Sequence, residues 1–233
     1  MIKIICTGKY YEIGDTYLVA PAKYKSIINT LQSALNKNSD FCDILFKLSI
    51  KQEIKGKDLN KLRKGLKICG VKRLRDTIKA IEKLQDTTIL FSLVVAHVYR
   101  DSDISFIIEP GVDYGEYRTL DYCFVDFSYE INSIEKIRLL AEVKRTSSLK
   151  RLKGELSRSL SILKRVAECY NCPSIMHIHV VDEKLSECFS LLEEINVLDP
   201  LVNIIVTSGT DYRKFEKTLR MKLKDFLCSN IRL

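Results

Sequence analysis

From residue 104 onward the chain alternates two kinds of apolar periodicity, and their order restricts its fold more than any other feature. Residues 104–109, 119–129 and 137–146 are β-rich and separated by short polar turns, the pattern of an antiparallel meander. A helix follows, in which Leu149, Leu152, Leu156, Leu160, Leu163 and Val166 form one apolar stripe that ends near Pro173. A strand over 175–181, a helix over 183–195, a strand over 202–207 and an amphipathic helix over 212–227 complete the run. The order βββαβαβα calls for a mixed sheet, because parallel neighbours need crossover connections and those crossovers cover the sheet faces. The predicted fold class is therefore α/β, a mixed central β-sheet flanked by helices.

The residues before this run read as a smaller α+β region. Short β-like runs at 2–6 and 16–19 precede a segment, 22–35, with Ile27, Ile28, Leu31 and Leu35 at helical spacing. Residues 57–84 read as helix, glycine turn at Gly70, helix. That unit carries Lys61, Arg63, Lys64, Lys67, Lys72, Arg73, Arg75 and Lys79, a pattern shared by DNA-binding helical hairpins and by solvated helix faces. The expected organisation is a basic N-terminal region, 1–75, with candidate DNA contacts, followed by a core over 76–233. No internal repeat is visible.

Composition narrows the function classes. The chain has 233 residues, 38 Lys plus Arg against 30 Asp plus Glu, and a formal net charge of +8. With 46% apolar residues it has enough material for a core and is no disordered tract. Its longest apolar run, Ile89–Val98, is interrupted by Ser92 and His97 and falls short of the roughly 20 residues that span a bilayer, so no membrane partner is expected. The opening residues lack the apolar core and cleavage site of an export signal, which predicts a cytoplasmic protein. The eight cysteines are scattered through a long chain and read as mostly reduced, buried residues. Neither GxxxxGK[ST] nor GxGxxG occurs, so no nucleotide cofactor is expected.

The chemistry concentrates in the strand over 137–146. Period-two geometry puts Glu142 and Lys144 on one face, with Ala141 and Val143 on the other. A strand otherwise built for burial thus projects a carboxylate and an ammonium side by side, which is costly unless they are paired, metal-bound or facing a cleft. The preceding strand supplies Asp121. If Asp121 and Glu142 share a face they form a hard-oxygen site suited to Mg²⁺. Asp126 competes for that role but has the opposite parity, so one of the two faces the site unless a bulge intervenes. The competing structural reading of Glu142 and Lys144 is a surface ion pair.

On these residues the chain resembles the PD-(D/E)XK nuclease superfamily, over roughly residues 77 to 181. That superfamily has an Asp on the second strand of its meander and a (D/E)xK tripeptide on the third. Asp121 and Glu142-Val143-Lys144 match those positions, and Leu120 stands where a proline is customary. A small, basic, cysteine-bearing chain of this kind is similar to nucleases of archaeal viruses and to archaeal Holliday-junction resolvases. The resemblance implies a restriction-endonuclease-like core and Mg²⁺- or Mn²⁺-dependent hydrolysis of DNA. Asp121, Glu142 and the Val143 carbonyl would hold the metal, and Lys144 would stabilise hydroxide and the developing charge. A further acid is expected nearby, with Glu109 the first choice and Glu82 and Glu116 the alternatives.

The helix after the motif bears Lys150, Arg151, Arg158 and Arg165 opposite its leucine stripe, where they are candidates for DNA phosphate contacts; a solvated helix face gives the same pattern. In the loop between the first two strands, Tyr114, Tyr117 and Arg118 are candidates for sugar or base contacts. Cutting both strands of a duplex suits a homodimer. Cys169 and Cys172 followed by His177 and His179 also invite a zinc reading, against which stand ordinary packing and a disulfide. His97 reads as structural. From another functional class, the same residues fit a non-catalytic DNA-binding protein with a nuclease-like fold.

Overall fold

A computed structural model describes residues 3–6, 24–99, 104–108, 111–113, 117–126, 137–147, 149–182 and 202–230. Strands β1 (Lys3–Cys6), β2 (Ile104–Ile108), β3 (Gly111–Asp113), β4 (Tyr117–Thr119), β5 (Tyr122–Asp126), β6 (Ile137–Thr146), β7 (Ser174–Val180) and β8 (Val202–Ser208) are joined by seven helices among these residues. The helices are α1 (Lys25–Lys37), α2 (Asp40–Ser49), α3 (Lys57–Ile68), α4 (Leu74–Leu84), α5 (Ile89–Val98), α6 (Leu149–Tyr170) and α7 (Tyr212–Asn230). The predicted strand over 16–19 and helix over 183–195 lie outside the described residues.

The apolar runs assemble one sheet in the order β1-β2-β5-β6-β7-β8, and β3 with β4 forms a separate hairpin. β2, β5 and β6 pair antiparallel, as the meander predicts. β7 and β8 then add in parallel, β7 beside β6 and β8 beside β7, and β1 lies parallel to β2 at the opposite edge. The sheet is mixed and the fold is α/β. β7 is buried at all seven positions, as expected of a parallel strand with neighbours on both sides and helices on both faces.

Packing explains the layers. Phe46 from α2, Phe91 from α5 and Phe215 from α7 meet His177 and His179 of β7, so these three helices cover one face. α6 packs on β6 and β7 through Leu152, Leu156, Leu163 and Val166 and covers the other. Each such buried side chain stabilises the fold by about 1.5–3 kcal/mol. α2 lies between the helix predicted over 22–35 and the basic hairpin, in a stretch for which the sequence analysis predicts no element.

Residue 75 marks no break in the interior. Side chains of α1 to α5 and of the sheet belong to one buried cluster, and β1, from the very start of the chain, is a strand of the central sheet. The hairpin of α3 and α4 turns at Gly70, whose φ of 77° suits a residue without Cβ. No helix among the described residues is long and apolar enough to cross a membrane.

Candidate active site

The site forms where β5 ends and β6 runs on. The ladder between them closes at Tyr122 and Ala141, with the Asp121 N–H donating to the Ala141 carbonyl at 3.0 Å. Past that point no described strand pairs with β6 on this side, and the Asp121 side chain takes that place. The Val143 N–H donates to Asp121 Oδ2 at 2.6 Å, and the Thr88 hydroxyl, at the start of α5, donates to Oδ1. The Ser92 hydroxyl, one turn along α5, reaches the Asp121 carbonyl at 3.3 Å. In an antiparallel pair a residue's N–H and C=O point to the same side, so the Val143 carbonyl faces the gap that Asp121 fills.

Asp121 stands one residue beyond the last β5–β6 pair, Tyr122 opposite Ala141, close enough for the Glu142 charge to act on its carboxyl. Glu142 is 5% exposed, and the Lys144 ammonium lies 2.8 Å from its Oε1. Two carboxylates and one ammonium therefore share a partly enclosed corner. The Asp121 carboxyl is pushed up to about 6, first by loss of water around it and then by the Glu142 charge. The bonds from Thr88 and Val143 and the Lys144 charge oppose that shift without cancelling it. The sheet face holding Glu142 and Lys144 is well buried, which the surface-pair reading does not require.

Arg145 points to the opposite face and anchors the corner from behind. Its guanidinium donates to the Ser49 carbonyl at the end of α2, to Gln85 at 3.5 Å and to Thr87 at 3.0 Å. Ser49 and Gln85 stand at helix C-termini, where carbonyls lack intrahelical partners, and Thr87 lies in the turn before α5. One side chain thus ties α2 and the α4–α5 turn, Thr88 included, to the strand that carries Glu142 and Lys144.

The other candidates divide. Asp126 sits at the far end of β5, opposite Ile104, about 17 Å from Asp121 at 3.4 Å per residue, and does not join the site. Glu82 is exposed on α4. Glu109, Glu116 and Tyr114 lie outside the described residues, as do the side chains of Tyr117, Arg118, Lys150 and Arg151. Arg158 and Arg165 are exposed on α6. Thr88 and Arg145 escape the sequence reading; an arginine directly after the motif, at the parity of a buried face, is the one signal that marks either.

The zinc reading does not hold. Both ring nitrogens of His177 are engaged, Nδ1 with the Tyr122 hydroxyl at 3.2 Å and Nε2 with Thr207 Oγ1 at 3.1 Å. His179 is engaged as fully, by Thr207 at 2.9 Å and the Gly209 carbonyl at 3.1 Å. Cys169 is exposed and Cys172 buried, and the two are not joined in a disulfide, so that alternative fails as well.

Asp121, Glu142 and the Val143 carbonyl are hard oxygen donors of the kind Mg²⁺ takes. That ion is commonly held by one or two carboxylates, with waters and substrate phosphates filling the remaining positions, so the residues present fit it. Among the described residues no group of three or more His, Cys, Asp and Glu gathers for a metal. A separate cleft of about 760 Å³ opens between α2, α3 and the start of α7, and neither Asp121 nor Glu142 lines it. Compared with known proteins, the chain matches no family model, no curated protein and no solved structure.

Proposed function

We propose that the chain is a metal-dependent DNA nuclease with a restriction-endonuclease-like core. The observation that carries this reading is the Asp121–Glu142–Lys144 corner at the end of the β5–β6 pair, with two carboxylates near one another and an ammonium held against one of them. The element order α5-β2-β5-β6-α6-β7, interrupted only by the small β3–β4 hairpin, supports it, being a helix, a three-stranded meander, a helix and a further strand.

Asp121 and Glu142, with the Val143 carbonyl, would hold Mg²⁺ or Mn²⁺. Such an ion supplies charge neutralisation at the phosphate and lowers the pKa of a water bound to it. The chain's own residues do the positioning. Thr88 and the Val143 N–H fix the Asp121 carboxylate, and Glu142 holds the Lys144 ammonium where it can stabilise charge developing on phosphate oxygen. Arg158 and Arg165 extend a positive face along α6 for the phosphodiester backbone. A homodimer would bring two such centres to one duplex, and sedimentation of the pure protein with and without DNA tests that.

The decisive experiment measures cleavage of linear, nicked, single-stranded and four-way DNA, with and without Mg²⁺ or Mn²⁺. Asp121→Ala, Glu142→Ala and Lys144→Ala each lower the rate by about 100-fold or more while the fold is kept. Undiminished cutting in all three variants overturns the assignment. One observation favours a second reading, a DNA-binding protein without catalysis: both Asp121 oxygens already accept protein donors, and Glu142 already has Lys144. That reading expects salt-sensitive DNA binding in all three variants and no metal-dependent cutting by the wild type.

A further inference from the structure

The net charge of the chain is localised. The 28 residues from Lys57 to Leu84 carry ten Lys and Arg against three Asp and Glu, leaving 28 bases and 27 acids for the other 205 residues. Nearly all of the +8 therefore belongs to the α3–α4 hairpin. The hairpin is held by its apolar side: Leu62, Leu66, Ile81 and Leu84 are buried, and Gly65 lies so close to α2 that a Cβ there would stand 2.6 Å from the Phe41 ring. The bases all project outward. Arg63, Lys64, Lys67, Lys72, Arg73 and Arg75 are exposed, and among the described residues none of them has an ion pair. Opposite charges elsewhere on the surface do find one another, as Lys51 does with Asp86 and Arg220 with Glu216, so this is charge left uncompensated.

We propose that the outer face of the α3–α4 hairpin is a docking surface for the phosphate backbone of duplex DNA. A concentrated, unpaired positive face fits a polyanion with regularly spaced charges. An anionic membrane is the weaker fit, because interfacial binding needs an apolar stripe, and Ile68 and Met221 are the two exposed large apolar side chains among the described residues, of which Ile68 alone lies on the hairpin. The surface stands in a fixed relation to the candidate active site. α4 runs from the hairpin turn to Gln85, beside the Arg145 anchor and just before Thr88. Its eleven residues span about 16 Å, or roughly five base pairs of duplex at about 3.4 Å each. Placing the surface beside a cleavage centre rests on the nuclease reading; the docking surface itself does not.

The test uses the full chain carrying Asp121→Ala, in EDTA, so that no cutting intervenes. Fluorescence anisotropy with a labelled 30-base-pair duplex is measured across a salt series. The quadruple variant Lys64→Gln, Lys67→Gln, Arg73→Gln, Arg75→Gln should weaken binding about tenfold or more and lower the magnitude of the log K–log salt slope by about 3 to 4. The comparison variant removes Arg213, Lys217 and Lys224 from α7 in the same way and should shift the slope by about 1 or less. Equal losses in the two variants overturn the proposal, since net charge then explains the binding. So does a wild-type preference for phosphatidylserine vesicles or for duplex RNA of the same length. Hairpin-dependent binding together with a wild type that never cuts removes the nuclease reading and leaves this surface standing.

Discussion

At Asp121 the chain keeps a carboxylate where burial and a second carboxylate both oppose its charge. The sign of the consequence follows from its raised value: this group favours folding while protonated, below its ordinary 3.8, and that contribution is lost as pH rises through about 6. Asparagine fits the same place, with its oxygen accepting from the Val143 N–H and its amide donating to a rotated Thr88 hydroxyl. Asp121→Asn should therefore raise stability at pH 8 by about 1–2 kcal/mol in urea titrations, with the gain vanishing toward pH 4. Wild type should gain thermal stability from added Mg²⁺ and the variant should not, as expected where stability is given up for a site. The sequence exposes Glu142 and Lys144 because strand parity is a local property, and Asp121 because it stands directly before an apolar strand. It hides Thr88 and Arg145, whose partners lie 33 and up to 96 residues away and meet them only after the helices have packed.

Strand β7 shows how one element can be read correctly while its polar groups are misread. Its core position was legible from the apolar run, but the histidines suggested a metal because Thr207, their shared partner, sits 28 and 30 residues on in β8. The Gly209 carbonyl can only accept, so His179 donates from Nε2 and accepts at Nδ1; the Thr207 hydroxyl must then donate to His179 and accept from His177 Nε2. The Tyr122 hydroxyl completes the chain by donating to His177 Nδ1. Both rings are neutral Nε2–H tautomers, and ¹⁵N chemical shifts check this directly. Burial pushes His177 down to about 3 and His179 to about 4, so their contribution is fully present above the ordinary 6.5 and is lost as pH falls toward those values. Between pH 4 and 6 two histidine protons oppose the single one of Asp121. Stability should rise with pH at about 1.4 kcal/mol per unit, steepening to about 2.7 in Asp121→Asn. Thr207→Val leaves a donor and an acceptor unsatisfied and should cost about 2–4 kcal/mol.

Across the whole molecule the interior is shared between the two ends of the sequence. Phe46 of α2 stacks on Phe215 of α7 at 4.5 Å, and β1 and β8 form opposite edges of one sheet. Composition marks the first 75 residues as more basic, a surface property, and says nothing about where their apolar faces go; those faces enter the common core. Deleting residues 1–75 should therefore give an insoluble or unfolded product, and the intact chain should unfold in a single transition seen alike by far-UV dichroism and by tyrosine fluorescence. A soluble, cooperatively folding fragment over 76–233 would contradict this.

The Arg145 anchor carries one more implication. Because a single guanidinium bolts the ends of α2 and of the α4–α5 turn to the strand beside Lys144, a local opening of those contacts slackens the candidate site without unfolding the chain. Arg145→Lys, which keeps the charge but loses the three-way grip, should speed hydrogen exchange at the Val143 and Arg145 amides while the chain still melts in one transition.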